Sequence, residues 1–214
     1  MTLLNAPRLL KAAFAVVDPE SGSVRQVIPF QFNPERLSHK ITARDIDPEG
    51  DPMQLVRLSG PPRESLSFEA IMDATDALDQ GGAVEIEHGL GPRLAALELL
   101  IAPRLDALLA ADRLADQGAL ELLPAPPALT LLVWNADRVS AVRLRDLSIE
   151  EELFDQNLNP LRARLTLSVE VLSSDDLGVG SKGGGVYLAA LAGQERLAAR
   201  FRPATTATPA PKAI

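Results

Sequence analysis

The chain has 214 residues, 46% of them hydrophobic and only 4% aromatic. That length suits one domain with an extension, or two small ones, and the core must be mostly Leu, Val, Ile and Ala. A net charge of −8 argues against a nucleic-acid binder, and the lack of cysteine excludes a disulfide framework and a thiolate metal site. The early run "LLKAAFAVV" is too short and too charged for a secretion signal or a membrane span, so folding in the cytoplasm, without membrane insertion, is expected.

"AAFAVVD" predicts a short strand, and "PESGS" (19–23) a turn. Next, Val24, Gln26, Ile28, Phe30 and Phe32 share one face of a strand, which makes Phe32 a core residue; Pro29 within it favours an edge or a bulge. The strand should stop at Asn33-Pro34, because Pro34 donates no ladder hydrogen bond and restricts Asn33. It restarts in "RLSHKITAR" with Leu37 and Ile41. "DIDPEGDP" (45–52) is a polar loop. In "RESLSFEAIMD", Leu66, Phe68, Ala70 and Met72 alternate with polar neighbours, as in a half-buried strand. Residues 74–91 show no clear period and predict a loop.

From Pro92 the period becomes helical, placing Leu94, Leu97, Ile101, Leu105, Leu108 and Leu114 at helical spacings, with Pro103 expected to kink or split the helix. "LLPAPPA" (122–128) is a rigid linker. "LTLLVW" (129–134) is continuously apolar, as in a strand covered on both faces, and Asn135 to Asp137 is a tight turn. In "RVSAVRLRDLSIEEELF" the apolar phase switches from even positions (Val142, Leu144) to odd ones (Leu147, Ile149), predicting a bulge near Arg145-Asp146. After the turn "DQNLNP", Leu161 to Val171 alternate without fault, opposite Arg162, Arg164 and Glu170. A long two-stranded ribbon follows from this pattern. The Arg-bearing alternation is expected to be a solvated sheet face or, more sharply, a partner-facing one. "SSDDLGVGSKGGG" (173–185) looks like a flexible link, "VYLAALAGQERLAARF" a modest helix, and "RPATTATPAPKAI" a disordered tail.

Little in the sequence carries chemistry. "GVGSKGGG" lacks phosphate-loop spacing, because Ser181 precedes Lys182. Glu150, Glu151, Glu152 and Asp155 form a run on a turn-flanking strand, where carboxylates are usually solvated rather than converging on a cleft. His39 and His88 stand outside any metal-ligand cluster. No catalytic residue, cofactor or metal site is expected, and a structural or interaction role is favoured over two competitors. One competitor is a small-ligand β-domain, marked by a closed apolar pocket. The other is a hydrolase using Glu151 and Glu152, marked by their convergence in a cleft.

Four blocks in order resemble the tube-type proteins of contractile injection systems, closest to the baseplate hub adaptor or tube-initiator type. They are "FQFNPERLSHK" with Phe32, Asn33 and Pro34; "LSGPPRESLSFEAIMDATD"; "PPALTLLVW" ending on Trp134; and "LSIEEELFDQNLNPLRARLTLSVEVL" with Phe154, Asn159 and Pro160. The chain departs from the family at Asn135, where Gly is usual, and nothing after Ser173 resembles the family's LysM module.

The resemblance implies a mainly β, α+β fold: an antiparallel barrel or sandwich with a long ribbon, one outer helical segment and a C-terminal helix. Residues 1–175 would form the tube-like domain, 176–202 a Gly-rich linker and short helix, and 203–214 a disordered tail. It also implies a six-fold homo-oligomeric ring joining the inner tube to the spike and baseplate proteins of a phage-tail-like particle, released or cell-bound. Arg162, Arg164 and Glu170 are the candidate subunit interface. The main tube subunit is the neighbouring alternative within that class.

Overall fold

The computed structural model describes residues 11–44, 59–103, 105–116 and 128–201. The expected loop at 45–52, most of the linker at 122–128 and the tail at 203–214 lie outside them. Seven strands form one antiparallel sheet: β1 Ala13–Val17, β2 Val24–Pro29, β3 Leu37–Thr42, β4 Arg63–Asp73, β5 Leu129–Asn135, β6 Arg138–Phe154 and β7 Pro160–Val171. Their order is β2-β1-β5-β6-β7-β4-β3. The helices are α1 Thr75–Asp79, α2 Ala83–His88, α3 Gly91–Glu98, α4 Leu105–Asp116, α5 Ser174–Leu177 and α6 Lys182–Ala198. Among the described residues no helix is long and apolar enough to cross a membrane.

The sheet is strongly curled. Strands β1 and β4 are four places apart, which in a flat sheet separates them by about 19 Å. Yet the rings of Phe14 and Phe68 lie 6.5 Å apart, and Phe30 meets both edge-to-face at 5.4 Å. Trp134 completes the group, 5.6 Å from Phe68. The concave side is filled by Phe14, Phe30, Met72, Leu165, Leu167 and Val169, with Leu94 and Leu97 of α3 packed in. Barrel closure is not made: among the described residues β2 and β3 each pair on one side only.

The faultless alternation of β4 and β7 appears as expected, with Ala163, Leu165, Leu167 and Val169 inward and Arg164 and Thr166 outward. Strand β5 is apolar on both faces because both are covered. Leu132 and Trp134 join the aromatic core, while Leu129, Leu131 and Val133 join a second cluster outside with Ala15, Val17, Ala141 and Leu177. The register of β6 against β7 shifts between Leu144 and Asp146, where the phase switch placed it. Pro29 closes an edge strand, as its missing donor requires.

Four expectations need correction. Residues 74–91 are not a loop but two short helices and the start of a third. Asp73 accepts hydrogen bonds from the backbone and hydroxyl of Thr75, which begins α1, and Gly81-Gly82 separates α1 from α2. The segment 173–185 is ordered. Ser173 and Asp176 form a capping box that starts α5, and Ser181 caps α6 by accepting from the Gly184 amide. Gly183 and Gly184 are buried there, and a Cβ on Gly184 would stand 2.1 Å from the Gly178 carbonyl oxygen.

The helical run from Pro92 splits at Pro103, but only Leu94 and Leu97 are buried. Ile101, between α3 and α4, and Leu105 and Leu108, on α4, are exposed. Lastly, β2 ends at Pro29, and Phe32 is 51% exposed rather than core. Phe30 still pairs with Ala12, but Gln31 and Asn33 then use their side chains as backbone partners. Gln31 Oε1 accepts from the Asp73 amide at 2.6 Å, and Asn33 Oδ1 accepts from the Ala12 amide at 3.0 Å. With Phe30 in the core and its two neighbours so engaged, Phe32 turns out to solvent.

Candidate subunit interface

The β6–β7 ribbon pairs from Val142 opposite Val171 to Phe154 opposite Pro160. Its end is closed by a carboxylate. Asp155 Oδ1 accepts from the amides of Asn157 (2.7 Å) and Asn159 (2.8 Å), and Oδ2 accepts from Asn159 Nδ2 at 2.8 Å. These bonds, the Asn159 side chain first, hold the Asp155 carboxyl below its ordinary range. Asn159 Nδ2 also donates to the Glu87 carbonyl at 3.1 Å, and the Leu90 amide to the Pro160 carbonyl at 2.8 Å. Asn159-Pro160 therefore fastens the 74–91 helices to the base of the turn. Gly89, at φ 56°, allows this approach, because a Cβ there would sit 2.4 Å from the Pro160 oxygen.

Beyond these bonds the tip is apolar and open to solvent. Leu153, Phe154 and Leu158 are 64%, 48% and 77% exposed, and Leu153 and Leu158 have positive φ, so the turn aims them outward. Along the outer face, Arg162 and Arg164 lie opposite Glu152 and Glu150 in register. Glu152 sits 3.7 Å from both guanidinium groups. One carboxylate, Glu152, thus partly offsets the two arginines within the ribbon. Glu170 lies toward the far end of β7, in an ion pair with Arg145, the bulge residue.

The sequence-selected residues therefore divide. Phe154, Asn159, Pro160, Arg162 and Arg164 gather at one end of the ribbon. Phe32, Asn33 and Pro34 sit at the start of β1, and Trp134 belongs to the aromatic core. Exposed Leu153 and Leu158 escaped the sequence reading, although their place just before and within the turn "DQNLNP" was a usable signal.

Two concavities border α6. One, of about 30 Å³, lies between Glu64, Ser140, Val171 and Tyr187. There burial, chiefly, raises the Tyr187 hydroxyl above its ordinary value. The other is an open groove of about 370 Å³ between α6 and the β5–β6 turn. Glu150, Glu151 and Glu152 line neither. Among the described residues no cluster of His, Asp and Glu has a metal-binding arrangement. No protein-family model matches the sequence, and no curated protein is detectably similar to it.

Proposed function

We propose that this chain is a structural subunit, without enzymatic activity, that associates through its sheet edges and ribbon into a ring. In the reading that its four sequence blocks imply, the ring is six-fold and joins the inner tube of a contractile injection particle to the spike and baseplate hub. One observation carries the proposal: a curled seven-stranded sheet with a side-chain-filled interior, two edges unpaired among the described residues, and a ribbon ending in exposed apolar residues. Unpaired edges pair readily with other chains, and a head-to-tail contact that closes leaves none free. The filled interior favours this over a ligand-binding barrel.

Native mass spectrometry and electron microscopy of the purified chain test the proposal. A closed ring is the expected species, and a monomer at every concentration refutes ring formation. Replacing both Arg162 and Arg164 by Glu should abolish particle assembly while far-UV circular dichroism stays native. Because that double change also leaves Glu152 without a cation, Arg162→Gln and Arg164→Gln serve as the milder pair. Wild-type particle yield from all of these variants would remove the ribbon's polar face from the interface.

A further inference from the structure

The exposed tip and the α6 groove match one another. The groove is apolar along Val139, Val186 and Gly193 and carries Arg196 and Arg200, with Asp137 as its one acid. Among the described residues neither arginine forms an ion pair. The tip offers the complement: exposed Leu153, Phe154 and Leu158, flanked by exposed Glu150 and Glu151 and by Asp155. A volume of about 370 Å³ falls in the range of pockets that take up a small organic molecule, ~300–1,000 Å³, and so has room for an inserted apolar side chain.

We propose that the β6–β7 tip of one copy docks in the groove between α6 and the β5–β6 turn of a second copy. The occupant must come from another copy. The groove lies at the start of β6 and the tip at its end, and 17 strand residues separate them by roughly 50 Å. Apolar tip residues fill the groove floor, and Glu151, on the ribbon face away from Arg162 and Arg164, meets Arg196 and Arg200 at its rim. The contact is head-to-tail, so a docked pair still presents one free groove, on the copy that gave its tip, and one free tip, on the copy that received it. This rests on the reading that copies associate, but it uses a surface separate from the sheet edges.

The chain has no cysteine, which makes cross-linking clean. Leu158→Cys changes an exposed side chain, and Gly193→Cys is accommodated because the nearest atoms to an added Cβ are 3.8 Å away. Mixing the two variants under mild oxidation should give a disulfide-linked dimer. Val179→Cys, exposed elsewhere, is the control partner for Leu158→Cys.

A docked tip raises the local thiol concentration, so cross-linking should exceed the control by about tenfold or more. Adding Arg196→Glu and Arg200→Glu to the Gly193→Cys chain should remove that excess. Glu151→Lys in the Leu158→Cys chain should restore it. Cross-linking at the control rate, or dimers of Leu158→Cys with itself at the higher rate, overturns the tip–groove contact. If those results accompany an intact ring, only this inference fails; if the wild-type chain is monomeric, the ring reading fails with it.

Discussion

Replacing Phe30 and Phe32 separately by Ala probes the turn out of β2. The two residues are neighbours in alternation but opposite in environment. Phe30 is fully buried and makes edge-to-face contacts with two other rings at 5.4 Å. Its truncation leaves a cavity beneath a curled sheet whose backbone cannot collapse easily, so the cost is ~3–5 kcal/mol. Phe32 is 51% exposed. Full burial of a Phe side chain contributes ~1.5–3 kcal/mol, so half-burial caps the loss at about 1.5 kcal/mol.

For a chain of 214 residues each kcal/mol shifts the melting temperature by ~2–4 °C. Phe30→Ala should therefore melt ~6–20 °C lower, and Phe32→Ala no more than ~6 °C lower. Urea titrations followed by circular dichroism measure the difference, with the slope checked for constancy between variants. They are best run at several protein concentrations, because self-association adds stability by mass action. A loss above ~2 kcal/mol for Phe32→Ala, independent of concentration, would return Phe32 to the core and refute the account of Gln31 and Asn33 as backbone partners.

Gly89→Ala should cost at least about 2 kcal/mol in urea melts, from ~1–3 kcal/mol of strain at positive φ and the displaced Leu90–Pro160 hydrogen bond. Ser173→Ala removes the capping box of α5 and should cost ~0.5–2 kcal/mol, with faster amide exchange at Asp175. The Asp18 carboxyl is lowered to about 2, first by the Ser21 amide and then by Arg25. A depressed carboxylate contributes stability above its unfolded value near ~3.9 and loses it as pH falls through the folded one. The acid limb of the melting temperature between about pH 4 and 2 should therefore flatten in Asp18→Asn, and an unchanged limb would show that the Asp18 turn is not coupled to folding.

Where local pattern and tertiary environment agree, the sequence foretold the structure. The alternation of β4 and β7, the bulge at Arg145 and the two covered faces of β5 are all written in apolar spacing. The Glu152–Arg162 and Glu152–Arg164 pairings become legible once the ribbon register is known. Residues 74–91 stayed illegible because helices of five and six residues are too short to display a period. Their place is fixed by partners some 70 residues later, such as Asn159. Gly183 and Gly184 read as flexibility but serve close packing, and the caps Ser173 and Ser181 were the available sign of order. Phe32 was misplaced because alternation was extended past Pro29, where side-chain amides take over from the ladder.

The link between the ribbon turn and the 74–91 helices also orders the folding reaction. The Ala74 amide finds its acceptor at Leu161, the Leu90 amide at Pro160, and the Glu87 carbonyl its donor at Asn159. None of those acceptors or donors is in place until β6 and β7 have met across a turn of five residues, 155–159. A hairpin closes a short loop and forms early, whereas contacts across some 70 residues come at a far higher entropic cost. The ribbon is therefore expected to act as the template, with the helices that precede it in the chain settling after it, an order that φ-values at Leu165 and Leu90 would test. During synthesis, residues 74–91 leave the ribosome well before the surface that receives them exists.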